Sequence, residues 1–125
     1  MKRMKPTCYI AGPMRGKPDY NRAAFNADAK RLAEAGWHPI NPVEIERVLP
    51  CVDEDGELHS FRLCDLLLAE RAFAERADAI YLLDGWWDSV GARGELQAYL
   101  NSTAAGGRVM FEGSRLLRAA EKGED

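Results

Sequence analysis

Short apolar runs alternate with amphipathic stretches along this chain. Thr7 to Ala11 (TCYIA) is the first run, β-prone and stopped by Gly12-Pro13, and it predicts a buried strand. From Asp19 the period becomes helical: Phe25, Ala29, Leu32 and Ala33 recur on one face, with Asp19 as the N-cap and Gly36 as the C-cap. "WHPINP" gives a brief second strand cut off by Pro42. Residues 43–58 read as irregular, with a short helix over Val43 to Leu49 and an acidic stretch from Asp53 to Glu57. A long helix is predicted from about Ser60 to Ala77, carrying Phe61, Cys64, Leu67, Leu68 and Phe73. "DAIYLLD" is continuously apolar, the pattern of a strand buried on both faces. After the loop "GWWDSV" a helix begins near Gly91, with Leu96, Tyr99 and Leu100 as its core stripe. "RVMFE" is a last strand, and "SRLLRAAEKGED" is a weak terminal helix fading into a tail from about residue 113.

Strand and helix in alternation predict a single α/β domain over residues 1–125. The expected form is Rossmann-like and three-layered, with a four- or five-stranded, mainly parallel sheet. Right-handed crossovers place every strand C-terminus on one edge, and ligands bind there, near the point where strand order reverses. Loops 12–16 and 84–91 both follow strands and both belong to that edge.

Length and composition leave this picture standing and remove several function classes. At 125 residues, with 46% hydrophobic and 30% charged positions, the chain supports one core. A net charge of -3 argues against a nucleic-acid polymer as partner. No apolar run is long enough to span a bilayer and no signal-peptide core is seen, so a cytoplasmic protein without a membrane partner is expected. Cys8, Cys51 and Cys64 are odd in number and far apart, which disfavours a disulfide framework or a metal site; Cys8 reads as a core residue.

Neither a phosphate-binding P-loop, nor a dinucleotide fingerprint, nor a serine-hydrolase elbow is present. His38 and His59 read as structural or surface residues. The first loop offers backbone N–H groups at Gly12 and Gly16 and the guanidinium of Arg15. Alone it supports only a strand-to-helix turn with Arg15 in solvent. The second loop shifts the balance. Asp88, Ser89 and Gly91 stand at a helix entrance, where a hydroxyl and free N–H groups suit an anion, and Glu95 lies one turn inside. Ser89 also serves as a plain N-cap. Trp86 and Trp87 are adjacent and do not both fit a core, so one of them lines a pocket or an oligomer contact.

"YIAGPMRG", then "DYNRAAFNADAKRLAEAGWHPINPVE", then "ADAIYLLDGWWDSVGARGELQAYL" resemble the DUF4406 proteins over roughly residues 7–101. That family in turn is similar to the nucleoside 2-deoxyribosyltransferase superfamily, which includes 2'-deoxynucleoside 5'-phosphate N-hydrolases. The resemblance implies cleavage or exchange of a base–sugar bond, with no metal and no organic cofactor. It assigns the nucleophile to Glu95, within Gly91-Ala92-Arg93-Gly94-Glu95, and a steadying role to Tyr9. It places the 5'-phosphate at Gly12 and Arg15 of the first loop and at Ser89 and Gly91 of the helix entrance, with Pro13 and Met14 also against the substrate. The partner acid is Glu70 if the register is kept and Asp65 if the preceding helix is longer. Asp84 is placed beside the ribose or base, and Trp86 beside the pocket. The partners implied are a small nucleotide or nucleoside and a second copy of the chain, as a homodimer or higher oligomer. Ala92 stands where such proteins carry a threonine. That departure supports the alternative of a non-catalytic nucleotide-binding or sensing module on the same fold.

Overall fold

Strands covered on both faces must be apolar throughout, and two segments satisfy this along almost their whole length: β1 (Thr7–Ala11) and β3 (Ala79–Leu82). They pair in parallel at the centre of a four-stranded, all-parallel sheet of order β2-β1-β3-β4, with Cys8 opposite Ala79 and Ala11 opposite Leu82. The flanking strands are β2 (His38–Ile40) and β4 (Arg108–Phe111). β2 carries Pro39, whose missing N–H is tolerated at a sheet edge. The computed structural model describes residues 4–48, 60–103, 107–114, 116 and 119, with side chains from residue 65 onward in the helix that begins at Ser60.

Alternate residues of the central strands feed two cores. Cys8, Ile10, Tyr81 and Leu83 pack with Phe25 and Leu32 of α1 (Arg22–Glu34). Tyr9, Ala11, Ile80 and Leu82 pack with Ala74 of α3 (Ser60–Arg76), with Ala77 just beyond it, and with Ala92 and Tyr99 of α4 (Val90–Ser102). The result is a helix–sheet–helix sandwich, as the alternation of elements predicts. From β1 the chain runs outward through α1 to β2; from β3 it runs the other way through α4 to β4. The loops after β1 and β3 therefore diverge between the two central strands, which is the switch point of the sheet.

Several local expectations are corrected. Asp19 does not cap α1. Pro18–Asn21 form a 3-10 turn in which Asp19, Tyr20 and Asn21 hold left-handed φ angles of 49°, 54° and 61°, and the helix starts at Arg22. Asn21 occupies the cap position, yet its amide donates to the Pro13 carbonyl at 3.0 Å, and Asp19 pairs with Arg22 at 2.6 Å. Tertiary ties from the first loop override local capping chemistry here. The C-terminal end follows expectation: Gly36, at φ 96°, sends its N–H to Ala33, and Trp37 sends its own to Leu32, closing a Schellman turn. Ala33 is exposed, and Asp28 takes the inner position instead, accepting from the Tyr81 hydroxyl at 2.8 Å.

The inner face of α3 also differs from the predicted stripe. Leu66, Glu70 and Ala74 turn inward, as does Ala77 just past its end, whereas Leu68 is 67% and Phe73 46% exposed, and Leu67 is half-buried. Small alanines let this helix lie close to the sheet, so the larger apolar residues are left outside. Phe61 and Cys64 lie outside the described side chains. In α4 the buried residues are Ala92, Glu95 and Tyr99, while Leu96 is half-buried and Leu100 exposed. The helix before the crossover, α2 (Pro42–Val48), is capped by Asn41, whose side chain accepts from the Val43 N–H at 3.0 Å. Residues 49–59, with Cys51, His59 and the acidic stretch, lie outside the described residues, as does most of the predicted terminal helix. Leu116 and Ala119 pack on the α1 side, and the Ala119 N–H donates to the Ala35 carbonyl at 2.9 Å. Among the described residues no helix is long and apolar enough to cross a membrane.

One buried hydroxyl ties three elements. Tyr99 donates to the Asp78 carbonyl at 3.1 Å and accepts from the Arg108 N–H at 2.7 Å, joining α4 to the starts of β3 and β4. Tyr99→Phe keeps the ring and strips both bonds, so the expected loss is about 1–3 kcal/mol of unfolding free energy, read by urea titration. A loss below a few tenths would mean that water replaces the hydroxyl.

Candidate functional site

The site begins where the two divergent loops touch. Gly12 passes so close to the end of β3 that a Cβ there would stand 2.7 Å from the Leu83 Cβ, which only a glycine avoids. Pro13 rests against Gly85 of the loop after β3, and Asn21 holds the Pro13 carbonyl from the far side. These contacts fix the floor and one wall of a cavity of about 480 Å³. Its lining includes Gly12, Pro13, Met14 and Arg15 from the first loop, Ser89, Gly91 and Ala92 at the start of α4, and the two acids Glu70 and Glu95. The size suits a small organic ligand.

Glu70 and Glu95 are the centre of the arrangement. They sit on the inward faces of the neighbouring helices α3 and α4, each only 5% exposed. One Glu70 oxygen is sealed from solvent without a hydrogen-bond partner. Carboxyls in that position hold protons tightly, because burial penalises the charged form. Burial pushes Glu70 up to about 7, against the opposing pull of its hydrogen bond with Glu95 and then of Arg15. Burial and the neighbouring charge of Glu70 push Glu95 well above the ordinary carboxyl range, while Tyr9 and Arg71 favour its ionised form. Beneath the pair lies Tyr9 of β1, wholly buried, its hydroxyl without a regular hydrogen bond; burial, then Glu95 and Glu70, keep this phenol protonated. Two neighbouring carboxyls whose hold on a proton is strengthened by burial thus face each other over a buried O–H, an arrangement found at sites that exchange protons.

The rim is cationic. Arg15 and Lys17 of the first loop and Arg71 of α3 all line the cavity. Arg15 is held to Glu46 of α2 at 3.4 Å, and Arg22 reaches the same carboxylate at 3.2 Å. Both guanidinium groups stack on Tyr20, at 5.6 and 5.1 Å from its ring centre. Opposite them, Ser89 caps α4, its hydroxyl accepting from the Ala92 N–H at 3.1 Å. The helix start at Gly91 thereby turns its N-terminal dipole toward the same space.

Of the residues singled out in the sequence, Tyr9, Glu70 and Glu95 meet in the interior, with Gly12, Pro13, Met14, Arg15, Ser89 and Gly91 around them. Three are elsewhere. Asp65 is exposed and does not line the cavity, whereas Glu70 does. Asp84 is exposed, and its backbone N–H donates to Glu112 at 2.8 Å. Trp86 packs against Phe111 with ring centres 6.4 Å apart, and Trp87 is 54% exposed. Lys17, Pro42, Leu67 and Arg71 join the lining without having been anticipated. For Lys17 the signal was available in its adjacency to the first loop. Arg71 carried none, because its role depends on which helix α3 packs against. Among the described residues no group of three His, Cys, Asp or Glu side chains is placed to hold a metal ion.

No curated protein and no solved structure matches the chain. The family model "Domain of unknown function (DUF4406)" matches residues 6–106, a span that contains β1 to α4 and every residue of the cavity. The chain therefore belongs to the DUF4406 family.

Proposed function

We propose that the protein is an N-glycosidase, cleaving or transferring the base–sugar bond of a (deoxy)nucleoside 5'-monophosphate in the manner of the nucleoside 2-deoxyribosyltransferase superfamily. The observation that carries the reading is the pair of buried glutamates, 70 and 95, on the floor of a cavity with a cationic rim. In the proposed chemistry Glu95 attacks C1' of the sugar. The C–N bond breaks as an ester forms between C1' and the Glu95 carboxylate, and Glu70 gives its proton to the departing base. Glu70, now ionised, takes a proton from water, which opens the ester and restores Glu95. A group poised at about 7 can act in both directions at neutral pH. Tyr9 steadies the ionised nucleophile from below, and the phosphate lies between Arg15, Lys17 and the start of α4.

The test is a panel of ribo- and deoxynucleoside 5'-monophosphates, with free base followed by chromatography. Release of base from at least one member is expected. Folded protein that leaves the whole panel intact overturns the reading. Nucleotide-dependent thermal stabilisation without release would replace it with the binding module.

A further inference from the structure

Three consecutive residues with side chains, Asp19, Tyr20 and Asn21, hold left-handed backbone angles. That conformation is costly for any residue but glycine, and it persists only where surrounding contacts enforce it. The contacts here come from the cavity wall. The Tyr20 N–H donates to the Lys17 carbonyl at 3.0 Å, and the Lys17 N–H donates to the Met14 carbonyl at 3.2 Å. The Asn21 amide holds the Pro13 carbonyl, and Arg22 closes the turn through Asp19. The turn brings one ring to a particular place: the guanidinium of Arg15 lies over Tyr20, 5.6 Å from its centre, and that of Arg22 lies 5.1 Å away. Glu46, with a side chain only 11% exposed, bridges both cations from α2 and offsets their repulsion. Arg15 is thereby gripped by an aromatic face and a carboxylate while it lines the cavity.

We propose that Tyr20 is a positioning residue: its ring fixes the Arg15 guanidinium at the rim, and so sets the preference of the cavity for a phosphorylated ligand over the same ligand without its phosphate. The proposal rests on the reading of Arg15 as the group that meets the phosphate. A free arginine side chain has many rotamers, and ordering them opposes binding. A guanidinium already held in place loses less freedom when it pairs with an anion, so the anion binds more tightly. The strain at residues 19–21 is the counterpart of that preparation, borne by the turn before any ligand arrives. Tyr20 does not itself line the cavity, so its effect passes through Arg15.

Calorimetry on protein carrying Glu95→Gln, in which ligands stay intact, compares Kd for the common deoxynucleoside 5'-monophosphates with Kd for their nucleosides. Tyr20→Leu keeps bulk without the ring. Tyr20→Gly removes both, and glycine takes the left-handed angle without strain, so this variant reports even where Tyr20→Leu fails to fold. Each is expected to narrow the nucleotide-to-nucleoside ratio by about threefold to tenfold, with nucleoside affinity unchanged. Tyr20→Phe keeps the ring and should keep the ratio. A ratio unmoved in either folded variant, or a parent that binds nucleotides no more tightly than nucleosides, overturns the proposal. So does an equal loss of both ligands, which would make Tyr20 a support of the fold alone. Loss of the ratio in Tyr20→Phe would overturn the ring as its source. Base release by the wild type with an unmoved ratio would end this proposal and leave the glycosidase reading; a narrowed ratio in a protein that releases no base would do the reverse.

Discussion

Glu95→Gln is expected to abolish base release, lowering kcat at least ~10³-fold on any nucleotide that the wild type cleaves. The floor on that figure comes from the ~10²–10⁴ that a single proton-transferring group contributes; a nucleophile that cannot form the ester loses more. The amide keeps the shape of the carboxyl and fits the same buried position above Tyr9, so binding should survive. Calorimetry with the cleaved nucleotide should give a Kd near that of the wild-type ground state, while single-turnover assays show the loss. Retention of activity within tenfold would place the nucleophile elsewhere. The fold should not suffer, because the change removes a buried ionisable group at a position that costs the native state its desolvation.

The second large effect is on stability. Glu70 titrates at 4.5 when solvated and at about 7 in the folded protein, chiefly because it is buried. A carboxyl that binds its proton more tightly when folded costs nothing below the lower value; stability then falls as pH rises through the higher one. From Glu70 alone the cost above pH ~8 is on the order of 3 kcal/mol. Glu70→Gln should therefore match the wild type near pH ~4 in urea titration and exceed it near pH ~8.5 by about that amount. A wild-type curve flat across that interval would show that the acid is solvated in the native state. The same variant should lose turnover by ~10²–10⁴, since the amide neither protonates the base nor activates water. Stability gained and activity lost at one position is the trade expected where function keeps a charge in an interior.

What the sequence discloses follows from how local its causes are. The continuous apolar runs at β1 and β3 declare their burial, and the glycine-marked loops after them declare the switch point. Glu95 is legible because Ser89 announces the helix start six residues earlier. Glu70 is legible only by spacing, and its burial, against the exposure of Asp65, shows only once α3 is seen to turn Leu66, Glu70 and Ala74 inward. That face is not readable from hydrophobicity, because Leu68 and Phe73 outweigh Ala74 in any periodicity while standing outside. The start of α1 is misread for a similar reason: Asn21 is bound to Pro13 rather than to its own helix. Arg71 escapes entirely, since nothing near it in the chain reveals that Gly94 will lie opposite.

The pairing of β1 with β3 has a consequence for how the chain tolerates change in length. Cys8 pairs with Pro39 across 31 residues and with Ala79 across 71, so the contact that builds the site closes the longer loop. Loop-closure entropy grows only with the logarithm of length, and the difference between those spans is under ~1 kcal/mol. Adding about ten residues between Val48 and Ser60 would cost well under ~0.5 kcal/mol of chain entropy. Tyr9 would still meet Glu95, because their meeting is fixed by strand register and the α4 cap. Chain length between β2 and β3 therefore bears only weakly on the pairing that brings the interior acids together, and the strand register bears strongly.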